Sequence, residues 1–272
     1  MSSLNYNSII KVPFTMEPYM FKFEGNPISR ITHKSLIHKI KENELGTAIS
    51  FGEIPSDILF KILKKINTYQ KKWDIYQKFK LEIEGLNNEI LSSKMIISLL
   101  SLQIEEDIGI IHDGKLIAGY FASPTNWNPL EKKDLSLVDI HKPVADNKKL
   151  LRAMKSMPLA ICGNHMFCRH IWTIAPTDNM SMHPKYKDKW KKPEKINDLF
   201  LRVETQTTVP IIKNSTALFL IKINIIPLIE VFKTHRNLIT NSINSMSEDI
   251  LTYKNLHDIK TIINQTVGEV YV

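Results

Sequence analysis

The stretch Leu102-Gln103-Ile104-Glu105-Glu106-Asp107-Ile108-Gly109-Ile110-Ile111-His112-Asp113-Gly114-Lys115-Leu116-Ile117-Ala118-Gly119-Tyr120-Phe121-Ala122 decides the fold class. Asp-Gly between two apolar runs is the strongest short hairpin signal, because a type I′ turn needs positive φ at both central residues. The spacing predicts a strand over 102–111, a turn at Asp113-Gly114 and a returning strand over 115–122.

Upstream the period is helical. Ile54-Pro55-Ser56-Asp57 starts a helix whose apolar residues Ile58, Leu59, Ile62, Leu63 and Ile66 share one face. Trp73 to Leu86 and Ser92 to Leu100 are two further helix candidates. Downstream, Ser123-Pro124-Thr125-Asn126-Trp127-Asn128-Pro129 reads as a loop, and Asn147 to Met157 as a short helix. Strand candidates follow over 166–174, 199–208 and 217–225, and a C-terminal helical region runs from Leu228 to near Thr266. Such segregated elements predict an α+β fold with a largely antiparallel sheet.

Composition narrows the function classes. A chain that is 43% hydrophobic and 24% charged has the material for a sizeable core and is not broadly disordered. No segment reaches the roughly 20 uninterrupted apolar residues of a membrane span. The best run, Ala217 to Val231, is broken by Lys222, Asn224 and Pro227, and the apolar run within Met1 to Phe14 is too short for a secretory signal. With Cys162 and Cys168 as its two cysteines the chain carries neither a disulfide framework nor a Cys-x-x-Cys-His haem attachment. A cytoplasmic location is the expectation. The net charge of +8 is concentrated in runs such as Lys185 to Lys195. Tyr186 and Trp190 interleave with these lysines, as in a nucleic-acid binder, but a solvated loop is the plainer reading.

No phosphate-binding glycine loop, nucleophile elbow or His-Glu-x-x-His helix is present. His33, His38, His235 and His257 are expected to face solvent. His141 follows the apolar-leaning Leu135, Leu137, Val138 and Ile140 and precedes Lys142-Pro143, a context expected to be extended. It is either a metal ligand presented inward or a structural histidine. In Arg202-Val203-Glu204-Thr205-Gln206-Thr207, strand alternation puts Arg202, Glu204 and Gln206 on one face. Exposed, that face is ordinary; buried, it must be a satisfied polar network or a ligand site. Arg169 and Trp172, three apart, point to opposite faces of a regular strand, so sharing one pocket would require a bulge.

Taken in order, Glu106-Asp107, Asp113-Gly114, Pro124-x-x-Trp127-x-Pro129-x-x-Lys132, Ile140-His141-x-Pro143-Val144, Arg169-x-x-Trp172 and Arg202-Val203-Glu204-x-Gln206-Thr207 resemble the haem-dependent oxidative N-demethylase-like family. The resemblance runs over roughly residues 21–231 and is densest from 103 to 227. It implies a PAS-like antiparallel sheet with flanking helices, here a single haem-binding domain over 1–272. The core would span about 102–232, with a helical region over 1–100 and a helical tail over 233–272.

The family's activity implies haem b as cofactor and oxidative demethylation of a small secondary amine, with O₂ as oxidant and formaldehyde as product. Electrons would come from NADPH through a separate flavin and iron–sulfur reductase, with no nucleic acid or membrane as partner. Carried onto this chain, His141 becomes the proximal iron ligand. Arg169, Arg202 and Lys132 become candidates for the haem carboxylates and Trp172 a cofactor contact. Glu204 and Gln206 become the catalytic candidates, which either orient such an arginine or meet the substrate amine, Glu204 being the better suited to a cationic amine. The alternative is a non-catalytic PAS-like protein that binds haem or senses a gas. The sequence departs from the family's usual pattern at Asp134 (glycine), Ala145 (proline), Ile171 (asparagine) and Thr208 (leucine).

Overall fold

The computed structural model of the chain describes residues 4–69 and 92–269. Seven strands form one sheet: β1 (Phe21–Phe23), β2 (Ile49–Phe51), β3 (Asp107–His112), β4 (Lys115–Phe121), β5 (Met166–Ala175), β6 (Phe200–Ile212) and β7 (Thr216–Pro227). Their spatial order is β1-β5-β6-β7-β3-β4-β2, and every pairing is antiparallel. The β3–β4 turn is as expected, with φ of 48° at Asp113 and 75° at Gly114.

Strand β3 starts at Asp107, not at Leu102. The preceding backbone is drawn off to another partner, with Ile31 N donating to Gln103 O and Glu105 N to Ser29 O. Both Glu106 carboxylate oxygens accept from Ser29 N at 3.0 Å, which anchors the same crossing. Strands β1 and β2 come from the region expected to be helical. At three residues each they are too short to show a period in the sequence.

Nine helices flank the sheet among the described residues: α1 (Tyr6–Ile9), α2 (His33–Glu44), α3 (Ser56–Tyr69), α4 (Ser93–Ser101), α5 (Leu137–His141), α6 (Lys148–Ile161), α7 (Leu228–Asn244), α8 (Glu248–Lys254) and α9 (His257–Glu269). The candidate over Trp73 to Leu86 lies outside the described residues. In α3 all five residues of the expected stripe are buried, against Ile97 and Leu100 of α4 and Ile108, Ile110 and Leu220 of the sheet. Each such side chain contributes about 1.5–3 kcal/mol through its burial.

On the same sheet face, at the β5–β6 end, Trp172, Ile174, Leu201 and Val203 pack against α7, α8 and α9. The opposite face is covered in part by α5 and α6, whose Leu137, Leu150 and Met154 pack on Ile111 and Ala217. There the sheet also presents Phe121, Ile221 and Phe219, with Trp127 edge-on to Phe121 at 5.1 Å. This second face is only partly filled, and the site lies on it.

Two local expectations are corrected. His38 is not a solvent-facing residue: its Nε2 lies 3.1 Å from both Ala122 O and Ser123 Oγ, with only 13% of the side chain exposed. The His141 segment is not extended but ends a helix. Ser136 caps α5, accepting from Asp139 N at 3.1 Å and donating to Asp139 Oδ2 at 2.6 Å. That local closure outweighs the bias before proline, and Lys142 itself remains helical at φ −53°, ψ −39°.

Candidate functional site

Alternation along β6 sends Arg202, Glu204 and Gln206 to the partly filled face, and all three are buried. The register sets Arg169 opposite Gln206 and Ile171 opposite Glu204. The buried alternative for this strand face is therefore the real one, and its polar groups form a chain. Arg169 Nε donates to Gln206 Oε1 at 2.7 Å, and Gln206 Nε2 donates to Glu204 Oε2 at 2.7 Å. Thr125 Oγ1 donates to Glu204 Oε1, and Arg202 Nε donates to Thr125 Oγ1 at 2.8 Å.

The two arginines differ in what they leave free. Arg202 also donates to Asn179 O and Ser123 O, so each guanidinium nitrogen is engaged within the protein. Arg169 is held through its Nε bond, and its two terminal nitrogens have no protein partner among the described residues. Burial pulls both arginines down to about 10, opposed by the nearby Glu204 carboxylate. Both remain cations at neutral pH.

On the facing wall, His141 Nδ1 is 2.7 Å from Leu137 O, one helical turn back. A carbonyl can only accept, so Nδ1 carries the proton and Nε2 keeps its lone pair. Burial, then the Arg169 and Lys132 charges, push the imidazole down to about 4. At neutral pH it is an uncharged ring whose Nε2 has no protein partner among the described residues. A neutral imidazole oriented through its other nitrogen is the form in which histidine binds a metal.

These groups line one cavity of about 390 Å³, within the roughly 300–1,000 Å³ range of small-molecule sites. The cavity brings together His141, Lys132, Arg169, Trp172, Arg202, Glu204 and Gln206. Trp172 joins them without the bulge that its spacing from Arg169 demanded. The β5–β6 register is unbroken, and the Trp172 ring packs with Val203 and Leu201 on the other face. Pairing of β1 with β5 ends at Cys168, so β5 is a sheet edge from Arg169 onward among the described residues, and the cavity reaches Trp172 around that edge.

Several lining residues were not among the site candidates that the sequence offers. Thr125 lies between the two prolines of a quoted motif, and its hydroxyl was the available signal. Phe14, Tyr253 and Lys254 come from the two ends of the chain and carry no local signal. Of the departures from the resembled pattern, Asp134 has a positive φ of 60°, the conformation in which glycine is strain-free. Ile171 lines the cavity beside Glu204, and Thr208 lines it on β6.

The family described as "Haem-dependent oxidative N-demethylase, alpha subunit-like" matches residues 60–264, well over half of the chain. No curated protein matches it. No helix among the described residues is long and apolar enough to cross a membrane.

Proposed function

We propose, because the chain belongs to the haem-dependent oxidative N-demethylase alpha-subunit-like family, that the cavity takes haem b on His141 and that the protein demethylates a small secondary amine. In this reading O₂ is the oxidant, formaldehyde is released, and electrons come from NADPH through a separate flavin and iron–sulfur reductase.

The observation that carries the reading is His141. Its proton is held on Nδ1 by Leu137 O, and its uncharged Nε2 has no protein partner beside a largely apolar cavity. The donor set fits haem, which asks for one neutral nitrogen, apolar walls and cations for two carboxylates. Lys132 and the terminal nitrogens of Arg169 are candidates for those carboxylates. Arg202, whose donors are all engaged, suits a different part, holding Thr125 against Glu204.

When bound, haem supplies the oxidative chemistry. The chain's own residues position the amine and exclude water. Glu204 is the carboxylate that receives the charge of a cationic amine, and Gln206 holds its Oε2 in place. Trp172 and Phe14, edge-on at 5.8 Å, supply an aromatic wall for the substrate or cofactor.

A second reading, a non-catalytic haem-binding or gas-sensing protein, draws on Ile171, which puts an apolar side chain beside Glu204 where a hydrogen-bonding residue would help hold a substrate. Absorption spectra of the oxidised and reduced protein test the haem site. A Soret band altered in His141→Ala is expected, and an unchanged spectrum rejects His141 as the ligand. Substrate-dependent NADPH oxidation with formaldehyde release, using a competent reductase and a panel of methylated amines, separates enzyme from sensor.

A further inference from the structure

Lys254 ends α8, immediately before Asn255 in the left-handed conformation at φ 56°. Its side chain does not return to the carbonyls of its own helix, the usual role of a lysine at that position. Instead it reaches the β5 edge, where Nζ donates to Trp172 O at 3.0 Å and lies 5.5 Å from the centre of the Phe14 ring. That carbonyl satisfies one of three N–H donors. No carboxylate lies within ion-pair distance of Nζ among the described residues.

Glu204 attracts Lys254 through space, but both of its oxygens are occupied by Thr125 and Gln206. Burial lowers Lys254 to about 8, which still leaves it mostly charged at neutral pH. Lys254 is half-buried, and a desolvated ammonium with one neutral acceptor is costly unless an anion joins it.

The charge balance of the cavity points the same way. Lys11, Lys132, Arg169, Arg202 and Lys254 line it against Glu17 and Glu204, and Glu17 is already paired with Lys149 at 2.7 Å. Around Nζ lie the Trp172 carbonyl and the Phe14 ring, neither of which donates to an anion. A phosphate, which needs several donors, is poorly served there. A carboxylate at the end of an apolar body is well served.

We propose that Lys254 is a carboxylate-binding residue of the cavity, contributed by the C-terminal helices. The inference rests on the haem and amine reading above, which offers two sources of that group: a haem propionate, or a carboxylate carried by the methylated amine, as in an N-methylated amino acid.

Two titrations on the full chain test it. In the first, wild type, Lys254→Met and Lys254→Arg, freed of haem, are titrated with haem and with haem dimethyl ester and followed at the Soret band. If Lys254 meets a propionate, Lys254→Met weakens haem about tenfold or more and leaves the diester unchanged, while Lys254→Arg retains affinity. In the second, dimethylamine and N-methylglycine, both secondary amines, are titrated calorimetrically into the same proteins, loaded or as purified. If Lys254 meets a substrate carboxylate, wild type prefers N-methylglycine about tenfold or more and Lys254→Met loses that preference.

Should Lys254→Met fail the circular-dichroism check for folding, Lys254→Gln removes the charge and keeps an N–H for Trp172 O. Lys254→Met or Lys254→Gln indistinguishable from wild type in both titrations overturns the proposal. Wild type that develops no Soret band with haem refutes the haem reading instead, and the calorimetric arm still decides Lys254.

Discussion

Gln206 and Glu204, two residues apart on β6, are joined side chain to side chain, with Gln206 Nε2 donating to Glu204 Oε2 at 2.7 Å. The other end of the same amide accepts from Arg169 Nε at 2.7 Å. Only one orientation of the amide satisfies both neighbours, so Gln206 stands between a cation and an anion and bonds to each.

Replacing Gln206 by Ala leaves a buried donor on Arg169 and a carboxylate oxygen on Glu204 without their partner. Each such loss costs about 1–3 kcal/mol. The variant is expected to unfold at lower denaturant concentration. A double-mutant cycle with Glu204→Gln should show coupling between the two positions. Additive effects would mean that the bond carries no energy.

Arg202 is expected to act on stability before it acts on any ligand. It is 2% exposed, and its three engaged nitrogens tie β6 to Ser123, Thr125 and Asn179. Arg202→Met should destabilise the protein by about 3–5 kcal/mol, since Glu204 loses its nearby charge and three acceptors lose donors. Arg202→Lys should recover little, because an ammonium cannot reproduce the planar fork. Chemical denaturation of the haem-free variants reads both. Full rescue by lysine would show that charge alone matters.

Asp134 offers a change in the opposite direction. At φ 60° it bears the strain of a side chain in the left-handed region. Its carboxylate, 64% exposed, makes only a 4.0 Å approach to Lys133. Asp134→Gly is therefore expected to be neutral or stabilising by up to about 1 kcal/mol, as strain relief offsets the added entropy of the unfolded chain. A clear fall in thermal stability would indicate that the aspartate makes a contribution beyond the turn.

The pH dependence of stability should carry the mark of Lys254. With no anion bound, its folded-state pKa is about 8, against about 10.4 for an unfolded lysine. Between those values the unfolded chain binds the extra proton, so stability rises with pH across the window. Below about 8 both states are protonated and burial of the charge counts in full against folding. The stability of wild type relative to Lys254→Met is thus expected to increase from pH 8 to 10. A flat difference would mean that Lys254 is not desolvated.

Local signals made much of this chain legible without a structure. Asp113-Gly114 identified the hairpin because its conformational demand is met within two residues. The stripe from Ile58 to Ile66 identified α3 and its buried face because the helical period is a property of adjacent turns. Alternation placed Arg202, Glu204 and Gln206 together, and His141 stood out from the other histidines through the motif around it.

Tertiary structure decided which face of β6 is buried, since that depends on what packs above it and not on the strand. It also decided that His141 ends a helix, through Ser136 and Asp139, with Leu137 O selecting the free nitrogen. Above all, it brought Phe14, Thr125, His141 and Lys254 to one cavity from positions spread over most of the chain. Their meeting follows from the shortness of β1, whose pairing with β5 ends at Cys168, and from the C-terminal helices that pack beside β5 and β6. Those are long-range contacts, selected by the total apolar area buried, and no period in a short stretch of sequence records them.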